Sequence, residues 1–170
     1  MRGRRSTLSF LLAAMVAGGA APGAQAVAPG QPAPDLRLQA EDGKVVSLAA
    51  DKGKVVLVDF WASWCPPCKT AFPEVDSLYR EFQPRGFDVI AVNLDERRRD
   101  AEDFLAGRPH VMQVAFDPEG KSPRAFGLWG MPSSFLVGRD GRVRFVHVGY
   151  SGKVLDSYRR EIEQLLAERP

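Results

Sequence analysis

The sequence predicts an α/β layered domain, a central mixed sheet flanked by helices. Three observations carry this reading. Two β-branched, almost wholly apolar runs, Lys54 to Trp61 and Phe87 to Leu94, have the composition of strands covered on both faces. Segments with helical spacing of apolar residues separate such runs through the middle of the chain. The composition, 45% apolar and 26% charged, is that of a globular protein and not of a disordered or fibrous one.

The elements follow in order. Arg2, Arg4 and Arg5, an apolar stretch from Leu8 to about Ala17, and Ala24-Gln25-Ala26 have the layout of a secretory signal peptide, residues 1–26. Without those 26 residues 144 remain, and the net charge falls from +2 to −1, because three arginines and no acidic residue leave with them. The basic excess therefore belongs to the export signal, and nothing points to nucleic acid. The working domain is residues 27–170, large enough to bury a core without a staple.

Residues 27–34 read as an extended lead-in. Leu36 to Gln39 and Val45 to Leu48 form a hairpin about Asp42-Gly43. Lys54 to Trp61 is the first buried strand, interrupted only by Asp59. Cys65 to Phe82 carries helical spacing, with Pro73 expected to kink it. Phe87 to Leu94 is the second buried strand, Glu96 to Ala106 a polar helix, and Val111 to Phe116 a strand. Ser122 to Phe126 is a short helix. Ser134 to Val137 and Val143 to Val148 are strands about the Arg139–Arg142 turn. Lys153 to Ala167 closes the chain as an amphipathic helix with Tyr158 and Ile162 inward.

The chain has two cysteines, too few for a disulfide scaffold or, alone, a structural zinc site. Cys65-Pro66-Pro67-Cys68 follows a buried strand and opens a helix. There Cys65 meets unpaired N–H groups and the positive end of the macrodipole, which favour its thiolate. Cys68, one turn on, is placed to attack a mixed disulfide. The prolines suit a first helical turn and stiffen it. A purely stabilising bridge over so short a loop is worth only about 2 kcal/mol. The alternatives are Cu(I) held by both thiolates, as a copper-delivery module would, and a disulfide oxidant. Asp59, a carboxylate in an apolar strand, is expected to titrate high, toward the range of a thiol. His110 and His147 read as surface or strand residues, and the run Arg97-Arg98-Arg99 as a solvated helix face.

Val58 to Lys69 (VDFWASWCPPCK) resembles the active-site segment of thioredoxin-fold proteins. The Gly30–Leu36 segment, the Asp42-Gly43-Lys44 turn, Val92 to Glu96 and Gly130 to Phe135 are similar to exported TlpA-like and ResA-like thiol–disulfide oxidoreductases. The resemblance implies a thioredoxin-like fold with an N-terminal β-hairpin and a central αβ insertion. It implies a cis-proline at Met131-Pro132, with Met131 offering backbone hydrogen bonds to an extended substrate. Asp59 stands where thioredoxin has its buried aspartate. The TlpA-like glutamate position holds Ala71, and thioredoxin's neighbouring lysine corresponds to Ala91. Trp61, Trp64 and Trp129 are expected around the site, Trp64 on an apolar docking face and Trp61 packed beneath. No cofactor beyond the Cys65–Cys68 disulfide is expected, the export signal implies a periplasmic location, or a membrane anchor where the signal is not cleaved, and a monomer is expected. Protein disulfides would be the substrates, a membrane-embedded protein the electron donor. Apocytochrome c or copper-site cysteines are the targets it suggests.

Overall fold

The computed structural model describes residues 26–168, so the expected signal segment lies outside the described residues but for Ala26. The elements are β1 (Arg37–Ala40), β2 (Val45–Ser47), β3 (Val55–Trp61), α1 (Pro66–Phe82), β4 (Phe87–Asn93), α2 (Arg98–Leu105), β5 (Gln113–Phe116), α3 (Lys121–Phe126), β6 (Ser133–Val137), β7 (Val143–Val148) and α4 (Gly152–Ala167). Seven strands form one sheet in the order β2-β1-β5-β4-β3-β6-β7. β3, β4 and β5 run parallel, while β6, β7 and the β1–β2 hairpin add antiparallel pairs. This is the mixed sheet that the resemblance implies, with α2 and β5 as the inserted αβ unit and the N-terminal hairpin docked on β5.

Every residue of β3 and β4 is buried, as their unbroken apolar composition requires. Alternation divides the core between the two faces of the sheet. Val55, Leu57 and Trp61 pack with α1, α4 and the apolar side of α2. Val56, Val58 and Phe60 pack with Phe126 of α3, the hairpin and Val27. Asp59 therefore points to the first face, the one that also holds Cys65, Cys68 and Tyr158.

Helix α1 starts where its prolines, in the first turn, need no amide partner. It buries Ala71, Phe72, Val75, Leu78 and Phe82 and continues through Pro73 as one element. Asp76, also buried, accepts from the amides of Val111 (2.7 Å) and Met112 (2.9 Å) and from Arg80 Nε (2.8 Å). That carboxylate ties α1 to the insertion.

The lead-in straps the far edge of the sheet. Val27 donates to the Phe126 carbonyl, and Gly30 and Gln31 exchange backbone bonds with Val143. Gly127, at φ +68°, has Ala26 Cα only 2.3 Å from where a Cβ would stand. Glycine is required there twice over, for its dihedral and for the close approach.

Candidate active site

Parallel β3 and β4 deliver the site at their C-terminal ends, where α/β sheets place their chemistry. After Trp61 the chain turns through Ala62 to Trp64 and enters α1 at Cys65. Cys65 is the N-cap: its backbone is extended, and its Sγ accepts from the Cys68 amide at 3.3 Å. The sulfur thus occupies the position that a capping oxygen takes and engages the Cys68 amide, the first N–H after the two prolines. Cys65 and Cys68 are joined, with Cα atoms 5.3 Å apart. Cys65 keeps 4% of its surface exposed and Cys68 1%, so Cys65 is the less buried of the two.

The loop ahead of Cys65 is held by Asp95. This buried carboxylate accepts from the Ser63 amide (3.0 Å to Oδ2), the Ser63 hydroxyl (2.9 Å) and Asn93 Nδ2 (2.7 Å). Asn93 Oδ1 in turn accepts from the Asp95 amide. The segment Val92 to Glu96 carried the family resemblance, but sequence reasoning assigned Asn93 and Asp95 no such task.

Asp59 is 3% exposed. Its cross-strand neighbours are Ala91 on β4 and Ser134 on β6. The absence of a lysine opposite is therefore real in the structure, and what faces the carboxylate is a hydroxyl: Ser134 Oγ donates to Oδ1 at 2.6 Å. Burial pushes the Asp59 carboxyl up to about 7, against the opposing pull of that hydrogen bond. Tyr158 of α4 lies 2.6 Å from the same serine oxygen. Burial, and then the nearby Asp59 carboxylate, raise the Tyr158 phenol well above its usual value.

The Met131–Pro132 peptide is cis, as the resemblance implies. Pairing of Phe60 with Ser133 sets these two residues beside Trp61 and Ala62, on the approach to Cys65. The Pro132 carbonyl accepts from the Gly149 amide at 2.8 Å. Met131 is half-buried and packs against both halves of the core. Trp64 and Trp129 are 63% and 79% exposed, the two most exposed large apolar side chains described. Trp61 is instead core, packed at 5.0 Å on Phe72 and 5.1 Å on Phe104. His110 bonds Glu41 and His147 bonds Glu161, while Arg97, Arg98 and Arg99 pair with Asp100, Glu102 and Asp103. None of these was placed in the site by its sequence, and the structure gives each an acidic partner. Among the described residues no cluster of three or more His, Cys, Asp or Glu side chains is set to hold a metal ion.

Residues 28–166 match the Redoxin family. The chain belongs to the Redoxin family. It is 32% identical over 124 residues to the thiol-disulfide oxidoreductase ResA of Geobacillus thermodenitrificans, covering 73% of this chain and 71% of that one. It is 31% identical over 127 residues to ResA of Bacillus subtilis, covering 75% and 71%. A Chlorobium tepidum structure described as a thiol:disulfide interchange protein DsbE superposes with a TM-score of 0.81 at 42% identity. That alignment covers 84% of this chain and all of the other. This Redoxin-family chain is a ResA-like member of the thioredoxin superfamily and a thiol–disulfide oxidoreductase.

Proposed function

We propose that the protein reduces protein disulfides outside the cytoplasm, after export directed by residues 1–26. The observation that carries this is Cys65 at the N-cap of α1, its sulfur accepting from the Cys68 amide, with buried Asp59 on the same face of the sheet. Cys65 thiolate attacks one sulfur of a substrate disulfide. That bond breaks, a Cys65–substrate disulfide forms, and the released thiolate takes a proton. Cys68 then gives its proton to the Asp59 carboxylate and attacks the Cys65 sulfur. The second substrate thiol leaves, and two electrons have passed from the cysteine pair to the substrate. Pro66 and Pro67 hold the first turn, Met131 and cis-Pro132 offer backbone to an extended segment, and Trp64 and Trp129 supply an apolar flank. A membrane-embedded dithiol protein would return the electrons. Disulfides of apocytochrome c or of copper-site cysteines are the substrates this reading favours.

Insulin reduction tests the assignment. Cys65→Ser abolishes it, and a surviving rate would remove Cys65 as nucleophile. Direction is tested by the equilibrium potential of Cys65–Cys68, expected nearer the about −270 mV of thioredoxin than the about −120 mV of DsbA. A value at the DsbA end would make the protein an oxidant. Tight stoichiometric Cu(I) binding without reductase activity would replace the enzyme with a copper carrier.

A further inference from the structure

We propose that Ser134 and Tyr158 are positioning residues for the proton transfer at Asp59, forming a two-hydroxyl donor chain that takes the place of a cationic partner. The inference rests on the reading of Asp59 as the proton acceptor for Cys68.

The geometry permits one arrangement when Asp59 is ionised. A carboxylate only accepts, so the Ser134 hydroxyl spends its single hydrogen on Oδ1, 2.6 Å away. Ser134 Oγ then has only lone pairs to offer Tyr158, whose phenol at 2.6 Å must be the donor. The chain runs Tyr158 to Ser134 to Asp59, and each hydroxyl polarises the next. Among the described residues nothing donates to Oδ2. A proton arriving from Cys68 therefore has one free oxygen to take, while Oδ1 stays tied to strand β6.

The surroundings leave this chain as the main local support for the charge. β4 presents Ala91. On α4 the titratable groups on this side are Tyr158 and, behind it, Glu161, which is engaged by His147 of β7 at 2.7 Å. Tyr150 follows β7, and α1 presents Cys68 and, toward Tyr150, Glu74. The His147 ring packs edge-on against Tyr158, with centroids 4.9 Å apart, and helps hold the phenol in place.

Donation to the charged form favours it, so loss of a donor shifts Asp59 titration upward. Ser134→Ala is expected to raise the Asp59 midpoint, read by carboxyl carbon NMR on the reduced protein, by about one pH unit. The pH profile of insulin reduction moves up by the same amount, giving a several-fold loss at pH 7 that is recovered at pH 9. Tyr158→Phe, which keeps the packing, shows a smaller shift in the same direction. Ser134→Thr, which keeps the hydroxyl, restores both readouts. A Ser134→Ala or Tyr158→Phe protein that folds yet titrates as wild type would overturn the proposal. Asp59→Asn separates the two ideas. If it leaves the profile unchanged, Asp59 is not the acceptor, whatever the NMR midpoints do. If it alters the profile while the hydroxyl variants do not, only the donor chain fails.

Discussion

A carboxyl group held at about pH 7 by burial makes the stability of the protein depend on pH in an unusual sense. Between about pH 4 and pH 7 the folded state keeps a proton on Asp59 that the unfolded chain has already lost. Stability therefore falls as pH rises through this window, and the contribution present below pH 4 is gone above pH 7. The whole span is on the order of 4 kcal/mol. Asp59→Asn removes the dependence, so relative to wild type the oxidised variant gains about 2–3 kcal/mol between pH 5 and pH 8 in urea unfolding. An equal difference at both pH values would mean that Asp59 titrates as an exposed carboxylate. Cys65, Cys68 and Asp59 were legible because each breaks a local pattern: two thiols at a strand-to-helix junction, one acid in an apolar run. Ser134 and Tyr158 break none. Ser134 sits among strand residues, and Tyr158 falls on the inward stripe of an amphipathic helix, where an aromatic reads as packing. Ser134 lies 75 positions from Asp59 and Tyr158 a further 24 beyond Ser134, so their meeting exists only through strand register and helix docking.

The connection between β3 and α1 owes its shape to an acid on a different element. Asp95, just past β4, gathers three donors from Ser63 and Asn93 and so sets where the chain turns toward Cys65. Asp95→Ala leaves buried donors unpaired, with an expected cost of about 2–4 kcal/mol in urea unfolding and a lowered rate of insulin reduction. Unchanged stability would show that water replaces the carboxylate without loss. Elements buried on both faces matched their sequence limits closely, β3 and β4 within a residue at either end. The departures have local causes. The strand expected from Val111 begins at Gln113, because the amides of Val111 and Met112 are spent on Asp76 rather than on a neighbouring strand. The return strand of the hairpin stops at Ser47, whose hydroxyl caps a tight turn at Leu48–Asp51. A side chain 35 positions away sets the first limit and a local cap sets the second, and alternation shows neither.

At the scale of the whole molecule, the lead-in joins the two ends of the fold. It bonds α3 through Val27 and Phe126, pairs with β7 through Val143, and receives Arg142 Nη1 on the Gly30 carbonyl at 2.7 Å. Gly127→Ala would force a side chain into the left-handed dihedral at φ +68°. The expected cost is about 1–3 kcal/mol by urea unfolding of residues 27–170. Wild-type stability in this variant would show that the backbone at 127 relaxes to an ordinary dihedral at no cost. The Cys65–Cys68 bond has a consequence of its own at this scale. These are the only two cysteines in the sequence, so a molecule carries one pair of electrons and keeps no reserve. In the proposed reductase role a molecule that has delivered them is a spent reagent, and it must be recharged before every further turnover.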